Sequence, residues 1–326
     1  MKIKVIANTN IALVKYWGKR NIDLKLPLNS SISLTLDKLS TNTTIEAVDN
    51  FEDKLIFNNQ VPSEEVKTKI INFINLFRKD YKKENLKFLI KTENNFPTAS
   101  GLASSASGFA ALAVAMNKIL NLELSNEQLS CYARIGSGSA CRSVYGGFAE
   151  WQKGESDDGS DSFAVQLADE NFWDINMLVV IVENEKKSKS STAGMDETVK
   201  TCPFYPVWLS TVEQDLNDVR EGIYAKDIEK VGKTMEHNCL KMHSTMFTTM
   251  PAIIYWKPAT LAVIHKVNEM RENGLHCYFT IDAGANVKIL CLPEEAEKIK
   301  SYLSDIKEIK EIIQCKAGKS PLVEKL

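Results

Sequence analysis

Pro97-Thr98-Ala99-Ser100-Gly101-Leu102-Ala103-Ser104-Ser105-Ala106-Ser107-Gly108 joins a strand-like run, 87–92, to an alanine-rich run, 104–120, with no proline and a single glycine. The second run reads as a helix whose small side chains let it pack closely. Small residues at a strand-to-helix junction also let backbone wrap around a ligand, and successive N–H groups at a helix start bind anions. The serine hydroxyls add possible contacts to phosphate or Mg²⁺. No lysine follows in Walker spacing, so this is not a P-loop. A small-residue helix packed tightly on a sheet, with no ligand, is the competing reading.

Outward from this junction the first half of the chain is mostly strand-like. Residues 31–37 and 43–48 alternate with period two, and 54–57 runs into Asn58-Asn59 as a strand entering a turn. Residues 64–81 place Val66, Ile70, Phe73, Ile74 and Phe77 at helical spacing, and 125–135 opens with Ser-Asn-Glu-Gln, a helix-entry signature. An acidic, turn-rich stretch at 154–161 precedes a new strand at 176–183. Helical periodicity follows over 206–226, 227–243 and 258–273. Strands at 276–281 and 286–292 flank Asp282-Ala283-Gly284-Ala285, and a helix at 293–304 and a strand near 309–315 complete the pattern. Strands and helices mix without strict βαβ alternation. The expected class is α+β in two domains, 1–175 and 176–326.

Bulk properties narrow the function. The 326 residues are 44% hydrophobic and 25% charged, ordinary for a soluble globular protein. Lys plus Arg is 40 against 42 for Asp plus Glu, a net charge of -2. That excludes a general basic field for nucleic acid while allowing a local basic pocket. No apolar run approaches the ~20 residues of a membrane span. The first residues have no secretory apolar region, so a cytoplasmic location is expected. The seven cysteines have no CxxC spacing and read as reduced thiols. His237 and His243 are six apart, which does not put two ligands on one helical face. Neither zinc nor histidine-driven catalysis is expected.

Three more segments carry chemistry. Asn10-Ile11-Ala12-Leu13-Val14-Lys15-Tyr16-Trp17-Gly18-Lys19-Arg20 sets three cations and two aromatics around one glycine. That suits a compact polyanion, with lysines as point charges and Tyr16 as a donor; a solvated basic turn anchored by Trp17 is the alternative. Gly136-Ser137-Gly138-Ser139-Ala140-Cys141-Arg142-Ser143 ends a second Gly/Ser segment on an arginine able to grip a carboxylate bidentately. A flexible connector is the bland alternative. Asp282 lies in an Asp-Ala-Gly turn, where an aspartate is usually a turn residue, and nothing adjacent in sequence predicts a raised pKa.

Together these segments resemble one family. The loop 97–106 looks like the phosphate-binding motif of the GHMP small-molecule kinases. Asn10-Ile-Ala-x-x-Lys15-Tyr16-Trp17-Gly18-Lys19, Pro27-x-Asn29-Ser30-Ser31-x-Ser33, the arginine segment with Gly146-Gly147-Phe148-x-Glu150-Trp151, and Asp282-Ala283-Gly284 are similar to the diphosphomevalonate decarboxylase branch. Ala103 matches that branch, whereas Ala285 stands where it commonly has proline.

The resemblance implies a GHMP N-terminal domain with a left-handed βαβ crossover, a ferredoxin-like C-terminal domain and an active site in the cleft between them. It implies ATP-dependent decarboxylation of diphosphomevalonate, with ATP and Mg²⁺, no nucleic acid or membrane partner, and a homodimer. Asp282, Arg142 and Lys15 would be catalytic. Lys15, Tyr16, Trp17, Gly18, Lys19, Ser137, Gly138, Ser139, Ala140, Cys141, Arg142, Thr192 and Met195 would bind substrate, the last two from a loop at 190–195. Pro97, Ser100, Gly101, Leu102, Ala103, Ser104, Ser105, Ser107 and Lys187 would bind ATP, with Ser105 toward Mg²⁺. A relative that phosphorylates mevalonate or a phosphomevalonate without decarboxylation, and a non-catalytic GHMP-fold sensor, are the rivals.

Overall fold

The computed structural model describes residues 1–96, 104–183 and 189–326. Pro97, Ser100, Gly101, Leu102, Ala103 and Lys187 lie outside the described residues. The chain begins with β1 (Lys2–Val14), the hairpin β2 (Lys19–Asn21) and β3 (Leu26–Pro27), then β4 (Ser31–Val48) and β5 (Lys54–Phe57). Helix α1 (Glu64–Asp80) leads to β6 (Lys87–Asn94), followed by α2 (Ser104–Ile119) and α3 (Asn126–Gly136). A 3-10 helix, Gly138–Val144, precedes β7 (Phe148–Trp151) and β8 (Ala164–Ala168). Seven of the described strands form one sheet, in the order β13-β1-β4-β6-β5 with β7 and β8 added beside β4; its last member, β13 (Leu322–Lys325), comes from the end of the chain. The β5–β6 pair is parallel, joined through α1.

The two period-two runs at 31–37 and 43–48 are one strand. β4 pairs with β1, β6 and β7 in turn, and the exposed Asp37 and Lys38 mark an irregularity within it. There the register on β1 jumps, from Asn8 opposite Ser40 to Asn10 opposite Thr35. The freed stretch meets the second half of the chain, with Leu36 bridging Ala317. Helix α2 lies on this sheet through alanines: Ala106, Ala110, Ala111, Ala113 and Ala115 are fully buried. Their lack of side-chain bulk lets the helix axis come close to β1 and β4. Ser125 and Gln128 form a reciprocal capping box at α3, as the Ser-Asn-Glu-Gln motif implied.

The second half contains β9 (Asn176–Ile181), α4 (Ser191–Thr201), α5 (Tyr205–Ala225), α6 (Ile228–Phe247), α7 (Pro258–Glu272), β10 (Cys277–Ile281), β11 (Val287–Cys291), α8 (Ala296–Leu303) and β12 (Glu311–Lys316). Its sheet runs β10-β11-β9-β12, every pair antiparallel. That is the split βαβ, ferredoxin-like arrangement, with the first crossover expanded into α4 to α7. The expected second domain, 176–326, ends in a strand taken by the first sheet: β13 pairs with β1, Ile3 opposite Lys325. One hydrophobic core also crosses the seam, joining Ile11, Leu13 and Ile32 to Trp208, Leu216 and Met242.

Candidate active site

Two segments expected as loops are ordered helices. The connector reading of 136–147 is corrected by the 3-10 helix, whose residues are buried except for half-buried Ser139. The 190–195 loop is the start of α4, with Ser190 capping it by accepting from the Ala193 N–H at 3.2 Å. Both helices face the seam between the two sheets.

Asp282 follows β10 and Lys15 follows β1. The fold brings them together: Lys15 Nζ donates to Asp282 Oδ1 at 2.6 Å and to Ala12 O at 2.8 Å. Lys288, from the middle of β11, stands 3.3 Å from Asp282 Oδ2. Lys15 and Lys288 are 2% and 1% exposed, against 24% for Asp282. Burial alone would raise the Asp282 pKa. The two ammoniums overcome it and hold the carboxyl well below the usual carboxylate range. Asp282 is thus a fixed anion at neutral pH, and not merely a turn residue.

The loop after Asp282 is pinned despite Ala285 replacing the common proline. Thr260 Oγ1 donates to Ala285 O at 2.7 Å, and Asn286 Oδ1 accepts from the Val182 and Glu183 N–H groups. Helix α6 braces the other side. Asn238 Oδ1 accepts from Lys15 N at 2.8 Å, and Cys239 Sγ accepts from Ile281 N at 3.1 Å.

His243, also on α6, is fully buried with Nε2 3.2 Å from Ile281 O. Burial lowers its pKa to about 3, the Ile281 carbonyl opposing and Lys15 reinforcing that shift. The neutral imidazole therefore donates to the carbonyl. Unfolded chain takes up this proton below about pH 6.5, whereas folded chain refuses it down to about pH 3. Stability is unaffected above that window and falls as pH drops through it, by up to ~1.4 kcal/mol per pH unit. His243→Gln is expected to reduce the slope of unfolding free energy between pH 6 and 4 by nearly one proton. An unchanged slope in denaturant titrations would refute this.

Arg142 is buried in the 3-10 helix. Its Nε and Nη2 donate to Asn10 Oδ1 at 3.2 and 3.1 Å, and Nη1 donates to Ser31 Oγ at 2.6 Å. Asn10 is fixed in turn by donating to Ser139 O and Ser143 Oγ. A guanidinium has five N–H groups. Three are used here, leaving one on each terminal nitrogen. That pair can take a carboxylate in bidentate fashion.

Gly18 has φ +107°, and a Cβ there would come within 2.1 Å of the Tyr205 hydroxyl, which donates to Trp17 O at 2.6 Å. Only glycine fits this turn. Gly138 is equally constrained, since a Cβ would come within 2.6 Å of the Tyr16 hydroxyl. Tyr16 packs edge-on against Trp151, and burial pushes its phenol pKa up. Lys19 extends to α4, where its Nζ lies 3.5 Å from Met195 Sδ. It makes no salt bridge among the described residues. Burial lowers its pKa and nearby Asp196 partly offsets this. A half-buried cation beside a weak thioether acceptor retains capacity for an anion. Thr192 is exposed one turn earlier. Ser137 Oγ lies 3.0 Å from the exposed Ser105 Oγ at the start of α2, with Ser104 beside it.

Some expected contacts face inward instead. Ser107 is fully buried and its hydroxyl meets Thr41 Oγ1 at 2.7 Å, tying α2 to the sheet and turning away from any phosphate. Trp17, Ala140 and Cys141 point their side chains into the cores, and Cys141 Sγ donates to Gly138 O at 3.0 Å. Their side chains support the site without lining it. Asn10 and Lys288 had no assigned role. Lys288 left one trace in the sequence, a charge inside the otherwise apolar Val287-Lys288-Ile289-Leu290-Cys291.

The chain matches known proteins along most of its length. Residues 7–164 fit the family described as diphosphomevalonate decarboxylase-like N-terminal domain, and 177–324 the mevalonate 5-diphosphate decarboxylase C-terminal domain. Diphosphomevalonate decarboxylase of Schizosaccharomyces pombe is 36% identical over 98% of this chain and 86% of its own length. The crystal structure of mevalonate diphosphate decarboxylase from Staphylococcus aureus, 39% identical, superposes with a TM-score of 0.94 over 99% of this chain and 98% of its own. A structure of MDDEF in complex with MVAPP, AMPPCP and magnesium is 42% identical with a TM-score of 0.92, covering 100% of this chain and 99% of its own. The anion clamped by two lysines, the braced arginine and the GHMP fold around them are therefore those of a chain that belongs to the diphosphomevalonate decarboxylase family.

Proposed function

We propose that this chain catalyses the ATP-dependent decarboxylation of (R)-5-diphosphomevalonate to isopentenyl diphosphate, releasing ADP, phosphate and CO₂, in the mevalonate route to isoprenoids. The observation that carries this reading is the juxtaposition of a fixed carboxylate with a guanidinium that keeps two N–H groups unused by Asn10 and Ser31. The names of the relatives and the MVAPP and AMPPCP complex of one of them support the substrate and nucleotide.

A 3-hydroxy acid does not lose CO₂ readily, because hydroxide is a poor leaving group. Phosphorylation of the tertiary hydroxyl converts it into a good one. Electrons of the breaking C1–C2 bond then form the alkene and expel phosphate, so no electron-sink cofactor is required. Asp282 orients the hydroxyl and accepts its hydrogen bond as the oxygen becomes nucleophilic. Its depressed pKa makes it a poor resting place for the proton, so its main contribution is alignment and negative charge, and the proton passes on to water as the new P–O bond forms and the bond to ADP breaks. Lys15 balances charge near the transferring phosphoryl group. Arg142 holds the C1 carboxylate so that the bond to be broken lies in line with the departing phosphate.

Ser104 and Ser105 open α2 on the nucleotide side. The exposed Ser105 hydroxyl is a hard oxygen donor, which fits Mg²⁺ bound mainly by phosphate oxygens and water. Magnesium, when bound there, would neutralise phosphate charge. Tyr16, Lys19, Ser137, Ser139, Thr192 and Met195 surround the substrate diphosphate and backbone.

A coupled assay of ADP and CO₂ from diphosphomevalonate tests the reading. One CO₂ per ADP is expected; ADP without CO₂ would indicate a kinase instead. Lys19→Ala should raise KM for diphosphomevalonate about tenfold or more, since one charge-assisted contact to the diphosphate is lost. An unchanged KM would remove Lys19 from the diphosphate site. A cytoplasmic homodimer belongs to the same reading, and a monomer mass by light scattering would overturn the dimer.

A further inference from the structure

Asp282 meets its two lysines on opposite oxygens. Oδ1 takes the short bond from Lys15. Oδ2 is buried from solvent and, apart from the Lys288 ion pair, has no hydrogen-bond partner among the described residues. The Asp282 side chain is 24% exposed in all, so a ligand entering the seam meets it on a side other than Oδ2. Lys288 lies on the hidden side, where its own ammonium is anchored by donating to Asn286 O at 3.2 Å. Its position in β11 is held by pairing with both β10 and β9, opposite Thr280 and Val179. So β11 sets where the inner oxygen sits, while Lys15, just after β1, contacts the outer one.

We propose that Lys288 is a positioning residue for Asp282, gripping the inner carboxylate oxygen so that the outer oxygen is aimed at the substrate hydroxyl. This rests on the reading of Asp282 as the group that handles that hydroxyl. Lys288 does not touch substrate, being sealed behind the carboxylate. It acts through Asp282 in two ways. It stops rotation about the Cβ–Cγ bond, and it supplies a second positive charge that keeps the carboxylate ionised. The titratable and charged groups facing Asp282 are Lys15 from the turn after β1, Lys288 from β11, Cys239 and His243 from α6, and Arg142 from the 3-10 helix. Lys288 itself is faced by Asp282, Lys15 and Cys239. His243 is neutral and Cys239 is a buried thiol, so the ionisation of Asp282 depends chiefly on the two lysines.

Lys288→Met tests this, because it keeps the stem and removes the charge. We expect kcat to fall on the order of 10- to 10²-fold with KM for diphosphomevalonate within about threefold. Lys288→Arg, which keeps the cation, should recover most of kcat.

In an Asp282→Asn background Lys288→Met should cost little more, because its effect passes through the carboxylate. Parental kcat in Lys288→Met would overturn the proposal. So would full additivity with Asp282→Asn. If Lys288→Met does not fold, Lys288→Arg decides alone: a large kcat loss overturns the proposal, and near-parental kcat supports it. An active Asp282→Asn enzyme would instead sink the reading of Asp282 itself, whatever Lys288 does.

Discussion

Asp282→Asn should cut turnover by at least ~10²-fold, the lower end of what a positioned proton-handling group supplies. The substitution keeps size and shape but removes the charge between Lys15 and Lys288. Asparagine presents an amide oxygen or an N–H₂ group to the cleft, and only the oxygen can accept from the substrate hydroxyl, weakly. The two ammoniums, each almost wholly buried, then lose their anion. Uncompensated buried charge is costly, so one lysine should give up its proton more readily. That would weaken the charge balance near the transferred phosphoryl group as well. ATP binding, on the side of α2, should remain largely intact. Turnover is read by ADP release and binding by nucleotide titration. Near-parental ADP release from Asp282→Asn would remove Asp282 from the chemistry.

The sign of the pH effect follows from the same ion pairs. Asp282 has a depressed pKa in the folded chain, so its pairing stabilises the fold above the ordinary carboxylate pKa and is lost only as pH falls below it through the folded value. The carboxylate is accordingly ionised across the neutral range, which is where the proposed role requires it.

The elements around the site were legible because they are local. The alanine run predicts α2, the Ser-Asn-Glu-Gln cap predicts α3, and the apolar runs at 176–183 and 286–292 predict β9 and β11. Three features were not legible, each for a physical reason. β13 has only four residues and two exposed ends, so its pairing with β1 depends on a partner more than 300 positions away. The 138–144 segment has glycine and serine content typical of a loop, yet burial between Asn10 and Ser31 makes it a helix. Ser190 reads as the start of a loop at 190–195 until its hydroxyl is seen to cap α4.

The site shows the same division. Lys15, Arg142 and Asp282 could be picked from motifs, but what activates each is non-local. Lys288 is six residues from Asp282 across a turn and reaches it only because β10 and β11 pair in register from Ile281 and Val287. Asn10 meets Arg142 across 132 positions. Lys15 receives its backbone anchor from Asn238, 223 positions away. Spacing in the sequence carries no information about such contacts, whereas a charge within an apolar strand does signal that the fold must supply a partner.

Arg142→Lys should slow the reaction on the order of 10- to 10³-fold if positioning lowers the barrier by a few kcal/mol. The reason lies in the fork. Three N–H groups of Arg142 are committed to Asn10 and Ser31, which hold the guanidinium plane and leave a pair of N–H groups, one on each terminal nitrogen. A carboxylate bound to that pair is fixed in direction as well as distance. Lysine keeps the charge but offers a rotating ammonium on a single stem. Serving Asn10 Oδ1 and Ser31 Oγ as well would leave it a single N–H for the ligand, against two for arginine. The C1 carboxylate would then swing, and the C1–C2 bond would leave its alignment with the departing phosphate. In the proposed reaction phosphorylation of the hydroxyl depends on Asp282 and Lys15, so it should survive better than elimination. The expected signature is an ADP-to-CO₂ ratio above one, or a trapped 3-phosphorylated intermediate. Arg142→Ala should show the same imbalance more strongly. If both variants turn over like the parent with ADP and CO₂ still one to one, Arg142 does not hold the carboxylate. Its bonds to Asn10 and Ser31 would then serve only to fasten the 3-10 helix to β1 and β4, and another cation would have to orient the substrate.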